Sequence, residues 1–218
     1  MNNIIQKYCS QEWQDFVNFH SEILEFKVNQ SIFEIGDDTN GLYLIDTGKV
    51  KITTLTPMKT TRIIRLAANN DVIGHRGFGG TWKYTISAIA LEDTKVIFIP
   101  TKIFNQVVKT NPDFGFYMMM FFAEELRDSE SLAHQCPVKN LVAQVLFKNL
   151  NAFGLEEGST KLSYTLSRKD IASMAGTTYE TVVRSLSELQ KDGAIQIEGK
   201  TIHISSEEIL KEQAFPFA

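Results

Sequence analysis

The chain of 218 residues has little cysteine, no long apolar run and no excess of positive charge. Its two cysteines, Cys9 and Cys136, lie 127 positions apart and form no metal-type spacing, which favours a reducing compartment. The longest apolar stretch, residues 114–123, contains Gly115 and is shorter than the roughly eighteen residues of a membrane span. The N-terminus lacks the basic start and apolar core of a secretory signal. We therefore expect a cytoplasmic protein without a membrane segment.

The charge of the chain argues at first against a nucleic-acid binder. Lys and Arg number 22 against 26 Asp and Glu, a formal net charge of −4 at pH 7. Proteins that neutralise phosphates usually carry a basic excess. The remaining composition, 43% hydrophobic and 22% charged, is that of an ordinary globular chain with one or two domains.

The first hundred residues change from a helical to a strand-like pattern. Residues 1–30 are predicted to be helical and amphipathic. From Ser31 to Ile99, short β-branched runs alternate with turns, of which 36–41 and 74–80 are rich in glycine. Short strands at such intervals indicate an antiparallel sandwich or roll, and the absence of alternating strands and long helices argues against a doubly wound sheet.

After Pro100 the pattern becomes helical. Residues 101–109 form a predicted short helix, and residues 113–134 a longer one in which Glu125 and Asp128 interrupt the apolar seam. So many apolar side chains on one helix must be buried, and we expect them to contact a second copy of the chain, with the chain's own sheet as the alternative. The candidate dimer-helix residues are Phe114, Met118, Phe121, Phe122 and Leu126.

Residues 167–191 carry the most specific pattern. Ser167 is a predicted N-cap with Asp170 at the third helical position, and Gly176 is a natural residue for ending that helix. Thr178 is predicted to cap a second helix after a three-residue turn, which is the spacing of a helix-turn-helix. The final residues of the chain are predicted to be a tail.

The second helix of this motif has two distinct faces. Val182, Leu186 and Leu189 share one side, whereas Glu180 and Arg184 lie on the other. An arginine can donate two hydrogen bonds to guanine, and a glutamate can accept one from cytosine N4. An ordinary Glu–Arg ion pair one helical turn apart is the alternative.

Residues 167–186, with Leu189, Gly193 and residues 199–202, resemble the winged helix-turn-helix of the Crp/Fnr family of bacterial transcription regulators. Residues 41–45, 48–50 and 71–74 are similar to the β-roll of that family's cyclic-nucleotide-binding-like domain, and residues 123–127 occupy the place of its dimerisation helix. The resemblance implies an α+β fold with three parts: an antiparallel β-roll (a jelly-roll or double-stranded β-helix) over residues 1–112, a long dimerisation helix over 113–136 and a winged helix-turn-helix domain over 137–218. It also implies a homodimer that binds a palindromic DNA operator, with RNA polymerase as a candidate partner.

The resemblance assigns base reading to one face of the second helix. Glu180 and Arg184 match the family's base-reading Glu and Arg, whereas Tyr179 and Val183 stand where the cAMP-responsive and Fnr-type members have arginine and serine. A G·C-containing half-site is therefore expected, without either group's consensus operator. The candidate contacts to the DNA backbone are Ser167, Arg168, Lys169, Thr177, Thr178 and Lys200.

The stretch that corresponds to the family's cyclic-phosphate site departs from it. Gly74 is retained and Thr85 keeps a hydroxyl, but His75 replaces the ribose-binding Glu and Tyr84 replaces the phosphate-binding Arg. Losing that arginine removes a charge-assisted interaction of roughly 1.5–3 kcal/mol, so we expect no cAMP binding, although Arg76 lies nearby. The candidate effector residues are thus Gly74, His75, Arg76, Tyr84 and Thr85, with no effector assigned.

The sequence offers little support for other cofactors or for an enzymatic activity. Two cysteines are too few for an iron–sulfur cluster, and a lone His75 or His134 is weak support for haem. Residues 199–201 lack the earlier glycine of a phosphate-binding loop, and no nucleophile with a base is evident, so we predict no catalytic residues and no metal site. The prediction is a DNA-binding regulator, and the alternatives are a cAMP- or haem-responsive member of the same family or a sensor that acts on a protein partner.

Overall fold

The computed structural model of the protein describes residues 4–130 and 136–216, and the side chains of all of these except 128–130. The described residues form two compact units. The first contains the chain up to Ile52 and again from Ala67 to the end of the long helix, and the second contains Thr53–Leu66 and the chain from Cys136 onward. His134 and the last part of the predicted dimerisation helix lie outside the described residues. The predicted boundaries at residues 112 and 136 stay a prediction.

The first unit combines helices with short strands. Its helices are α1 Ile4–Tyr8, α2 Gln11–His20, α3 Thr101–Thr110 and α4 Pro112–Glu130. The strands, of which β4 and β5 extend into the hairpin of the second unit, are β1 Glu22–Phe26, β2 Ser31–Phe33, β3 Gly41–Thr47, β4 Val50–Leu55, β5 Thr61–Ala67, β6 Val72–Ile73, β7 Ser87–Ala90 and β8 Thr94–Pro100.

Two four-stranded sheets build the roll, in the orders β1-β8-β3-β6 and β2-β7-β4-β5. The described registers of β1 with β8, β2 with β7, and β3 with β6 and β8 are all antiparallel. Strand β3 is buried along Gly41–Ile45, as expected of a strand covered on both faces. Leu42, Leu44 and Ile99 join Phe104 and Phe114 of the helices in one core. The predicted antiparallel roll is confirmed.

The N-terminal segment is not helical throughout. The expectation of helix over the first thirty residues is wrong for β1, which pairs with β8 from Glu22 opposite Phe98 to Phe26 opposite Thr94. Leu24 and Phe26 are partly buried and their neighbours exposed, the period of two that marks a strand covered on one face. The segment is too short for that period to be recognised in the sequence.

The second unit is mostly helical. It contains α5 Val138–Phe153, α6 Arg168–Ala175, α7 Tyr179–Lys191, β9 Ile195–Glu198, β10 Thr201–Ile204 and α8 Glu207–Ala214. Val142, Leu146, Ile171, Leu186 and Leu189 are fully buried and form its core. Strands β9 and β10 pair as an antiparallel hairpin.

The C-terminal residues are not a tail. Ser206 caps α8 by accepting a hydrogen bond from the Ile209 N–H, and Leu210 is fully buried. The side-chain amide of Asn140 on α5 donates to the Gln213 carbonyl at 2.6 Å, which holds the end of α8 against α5. Long-range packing of this kind leaves no periodic signal in eight residues. Among the described helices, none is long and apolar enough to cross a membrane.

Candidate functional site

The first helix of the predicted helix-turn-helix is fixed at both ends by local hydrogen bonds. The Ser167 hydroxyl accepts from the Asp170 N–H at 3.0 Å and donates to the Asp170 carboxylate at 2.7 Å. Gly176 has a φ of +67°, the left-handed conformation that favours glycine at the end of a helix, and its N–H donates to the Ala172 carbonyl. The N-cap and the glycine stop predicted for α6 are therefore confirmed.

The second helix of the motif begins immediately after the turn. The Thr178 hydroxyl accepts from the Thr181 N–H at 3.3 Å, which satisfies one of the free donors of the first turn of α7. Val182 and Leu189 of α7 are fully buried in the unit, so the rotation of α7 about its axis is fixed. This rotation decides which side chains remain on its outer face.

The outer face of α7 presents four side chains to solvent: Tyr179, Glu180, Val183 and Arg184. Among the described residues, no ion pair or hydrogen bond occupies the side chain of Glu180 or of Arg184. The intrahelical Glu–Arg pair is therefore absent, and both groups keep their hydrogen-bonding capacity for an external partner. A carboxylate acceptor and a guanidinium donor one turn apart have the chemistry needed to read a G·C base pair.

The hairpin β9–β10 brings several of the predicted phosphate contacts together. The Arg168 guanidinium donates to the carbonyl of Lys200 at the hairpin turn, at 3.4 Å, so α6 begins beside that turn. Burial lowers the pKa of Arg168. Lys169 and Lys200 are exposed. Ser167 and Thr178 use their hydroxyls in the two caps, and Thr177 lies in the turn between the helices, with its N–H donating to the Ala172 carbonyl at 3.0 Å.

Residues His75–Gly77 form a single 3-10 turn of the roll, entered through Gly74 with a φ of +88°. The His75 side chain is buried, and its ring packs edge-on against Phe121 at 4.8 Å between ring centroids. A Glu125 carboxylate oxygen on α4 lies 3.4 Å from Nε2 of His75 and accepts a hydrogen bond from Arg76 at 2.8 Å. The two effector candidates His75 and Arg76 are thus engaged by the protein's own helix.

Tyr84 occupies the interior of the roll rather than its surface. Only 2% of its side chain is exposed, its hydroxyl donates to the Gly41 carbonyl at 2.9 Å, and its ring stacks on Phe33 with centroids 4.2 Å apart. Burial is the main reason why the pKa of Tyr84 is raised well above its usual range. A Cβ on Gly77 would collide with Thr39 and approach Tyr84, so the 3-10 turn lies directly against this cluster. Thr85, the remaining candidate, is exposed.

Sequence reasoning missed Glu125 as a partner of His75 and Arg76. The only signal was its position as a charged interruption of the apolar seam on α4. Within residues 4–130 and 136–216, no three His, Cys, Asp or Glu side chains are grouped as metal ligands.

The apolar face of α4 differs from the predicted one. Phe114 and Met118 belong to the core of the first unit, with 0% and 3% exposure, so neither is available to a second chain. Phe121 is half-buried, whereas Phe122 and Leu126 are exposed as expected. The structure adds Phe116, Met119 and Met120 to the exposed set. The sequence could not separate these faces because apolar residues occur on both sides of the helix.

Two protein-family models match the chain. The cyclic nucleotide-binding domain matches residues 23–111, and the Crp-like helix-turn-helix domain matches residues 142–213. A fold with a β-roll and a helix-turn-helix unit defines the class of DNA-binding transcription regulators with a cyclic-nucleotide-binding-like domain.

Relatives and solved structures agree with these matches. The chain is 30% identical to electron transport regulator A of Shewanella oneidensis over 179 residues, 80% of this chain and 71% of the relative. It is 25% identical to the CRP-like cAMP-activated global transcriptional regulator of Mycobacterium tuberculosis over 195 residues, 88% of this chain and 87% of the relative. The fold resembles that of FixK2 from Bradyrhizobium japonicum with a TM-score of 0.77 and 21% identity, over 88% of this chain and 96% of that one. The chain belongs to the Crp/Fnr family of transcription regulators.

Proposed function

We propose that this regulator binds a palindromic operator as a homodimer and reads each half-site with Glu180 and Arg184. The observation that carries the proposal is the outer face of α7, where both side chains are exposed and uncommitted. In a helix-turn-helix, the second helix enters the major groove and its N-terminal residues contact base edges. Glu180 and Arg184 lie in the first two turns of α7, which fits this placement.

The flanking residues fit contacts to the DNA backbone. Lys169 and Lys200 carry exposed positive charges around the start of α6, where Arg168 joins that helix to the hairpin turn. Phosphate contacts of this kind set the orientation of the protein on the duplex and leave the choice of sequence to the base-reading helix. Tyr179 and Val183 complete the outer face and define how closely the helix approaches the groove.

A second copy of the chain fits the exposed apolar face of α4. Phe116, Met119, Phe122 and Leu126 follow one another at three- and four-residue spacing, Met120 lies one turn after Phe116, and each of these side chains is at least 40% exposed. Such a contiguous stripe is unusual on the surface of a monomer and is suited to a helix–helix contact. A homodimer also supplies the twofold symmetry that a palindromic operator requires.

The roll of this regulator is proposed not to bind cAMP. Tyr84 fills the place where cAMP-responsive relatives have a phosphate-binding arginine, and its hydroxyl is already bonded to Gly41. His75 and Arg76 face Glu125 of the chain itself. A nucleotide phosphate would need a cation at this place, and the guanidinium of Arg76 is already paired with Glu125.

Selection of operator DNA from a random pool with the purified protein tests the base-reading assignment. The expected site is an inverted repeat with a G·C pair in each half-site. Arg184→Lys keeps the charge but loses the paired donors of the guanidinium, so it should weaken operator binding by about 1–3 kcal/mol per half-site and relax selectivity at one position.

Lys211→Arg on α8 is the matched control, since it also exchanges one exposed basic side chain for another in the same unit, on a helix whose end is bonded to α5. It should bind the operator like the unmodified protein. Selection of a non-repeating sequence, or unchanged selectivity in Arg184→Lys, would contradict the proposal.

A further inference from the structure

The hairpin between β4 and β5 is the most basic segment of the chain. Residues 47–70 contain five Lys and Arg and no Asp or Glu. Three of these charges, Lys59, Arg62 and Arg65, lie in Thr53–Leu66, which clusters with the helix-turn-helix unit. The chain from residue 137 onward has nine Lys and Arg against ten Asp and Glu. When the three charges of the hairpin are included, the unit has twelve Lys and Arg against ten Asp and Glu, and its net charge changes from −1 to +2.

Ser173 fixes this hairpin against the first helix of the motif. Its hydroxyl accepts from the Ile63 N–H at 3.1 Å and donates to the Thr61 carbonyl at 3.2 Å. Strand β5 is the edge strand of its sheet, so its outward backbone groups are open to such a partner. The two hydrogen bonds lie on either side of Arg62 and fix its backbone relative to α6.

Arg62 lies beside the turn of the helix-turn-helix. A Cβ built on Gly176 would be 3.7 Å from one terminal guanidinium nitrogen of Arg62 and 3.9 Å from its central carbon. Gly176 is followed directly by Thr177 and by Thr178, the cap of α7. The Arg62 side chain is partly exposed, and among the described residues it makes no ion pair or hydrogen bond. An uncompensated guanidinium thus lies beside the turn that precedes the base-reading helix.

We propose that Arg62 binds a phosphate of the operator DNA, so that the hairpin of the roll forms part of the DNA-binding surface. The inference rests on the proposed function, because it takes α7 to lie in the major groove. The phosphates that border that groove flank the N-terminus of the helix within it, and the Arg62 guanidinium lies beside Gly176, three residues before that N-terminus. Arginine presents paired donors that match phosphate oxygens.

Arg62 could instead stabilise the fold without contacting DNA, and that role predicts a different salt dependence of DNA binding. A cation near the last turn of α6 also interacts favourably with the helix dipole, and that role would make Arg62 a stabilising residue only. The two roles separate in the salt dependence of DNA binding. Each phosphate contact contributes about 0.9 to the slope of log affinity against log salt, whereas a stabilising residue contributes nothing to it.

The experiment compares Arg62→Ala, Arg62→Lys and Arg65→Ala in the full chain, on the selected operator and on unrelated duplex DNA, between 50 and 200 mM salt. Arg65 belongs to the same strand but lies on its opposite face, because side chains alternate along a strand, so it is the matched control for charge. For a dimer with two such contacts, Arg62→Ala should reduce the slope by about 1.8, so its deficit in affinity should shrink roughly tenfold over this salt range. Arg62→Lys should keep the slope of the unmodified protein. The change in slope caused by Arg62→Ala should be the same on the operator and on unrelated DNA.

The outcomes separate this inference from the proposed function. If the unmodified protein selects no operator, the proposed function fails. If Arg184→Lys relaxes selectivity as expected while Arg62→Ala keeps the unmodified slope, the phosphate contact alone is refuted. A lowered melting temperature in Arg62→Ala with an unchanged slope identifies the stabilising role instead and also overturns the inference.

Discussion

Replacing Tyr84 tests whether the interior of the roll is closed to a nucleotide phosphate. The Tyr84 ring is buried against Phe33, and its hydroxyl is the donor to the Gly41 carbonyl. Tyr84→Phe removes only this hydroxyl and leaves the stacked ring, whereas Tyr84→Ala removes the ring as well. The two variants therefore separate the hydrogen bond from the packing.

The expected costs follow from burial. Loss of one buried hydrogen bond costs about 1 kcal/mol, and truncation of a buried aromatic ring costs about 3–5 kcal/mol through lost transfer energy and the cavity left behind. For a chain of this size, about 1 kcal/mol changes the melting temperature by roughly 2–4 °C. Tyr84→Phe should thus melt roughly 2–4 °C lower, and Tyr84→Ala roughly 6–20 °C lower.

Tryptophan fluorescence is the suitable readout because both tryptophans, Trp13 and Trp82, lie in the unit that contains Tyr84. Trp82 is two residues from Tyr84, and its ring packs against Phe78 with centroids 5.8 Å apart. Tyr179→Phe is the control, since Tyr179 is half exposed on α7 and should leave the fluorescence transition unchanged.

The same transition tests ligand binding. A ligand with a dissociation constant of about 10 μM, present at about 1 mM, would stabilise the folded state by about 2.7 kcal/mol, a shift of roughly 5–11 °C. We expect no shift with cAMP. A clear upward shift, or a Tyr84→Phe variant as stable as the unmodified protein, would refute the view that Tyr84 and its hydrogen bond close the interior.

Two further predictions concern the dimer helix and the thiols. Met120→Glu introduces a charge into the exposed stripe of α4. It should yield monomers in analytical ultracentrifugation and weaken operator binding in a DNA titration. The control Phe19→Glu, at an 84% exposed position of α2, should stay dimeric. Burial raises the pKa of the Cys9 thiol to about 11, so iodoacetamide at pH 8 should label Cys136 before Cys9, as mass spectrometry can measure. Because the unfolded Cys9 ionises near 9 and the folded one keeps its proton to about 11, stability should fall as pH rises through that window. Dimeric Met120→Glu, or faster labelling of Cys9, would contradict these expectations.

Local signals in the sequence were sufficient to predict the helix-turn-helix. Ser167, Gly176 and Thr178 each make their structural hydrogen bonds within five residues, so the residues that define the motif also complete it. The antiparallel roll was predictable for a similar reason, because its strands are short and separated by turns. In both cases the information lies in neighbouring residues.

The elements that sequence reasoning missed depend on distant partners. Strand β1 is a strand because β8, some seventy residues later, pairs with it. Phe114 is buried because α4 packs on the core of the roll with one face, although its other face is equally apolar in sequence. Helix α8 is held by the hydrogen bond from the Asn140 side chain to the Gln213 carbonyl. No window of local sequence contains both members of these pairs.

The net charge of −4 argues wrongly against DNA binding, because it too ignores which residues lie close together in the fold. Total charge weights every residue equally, but a phosphate responds only to charges within roughly a Debye length, about 10 Å in 0.1 M salt. Arg62 precedes Gly176 by more than a hundred residues, yet its guanidinium lies beside that glycine. The basic residues near the base-reading helix are therefore drawn from two segments of the chain, each too small to change the total. A fragment limited to residues 137–218 would lose the hairpin and retain a net charge of −1. Such a fragment should bind DNA more weakly than the whole chain does, even if every base contact were intact.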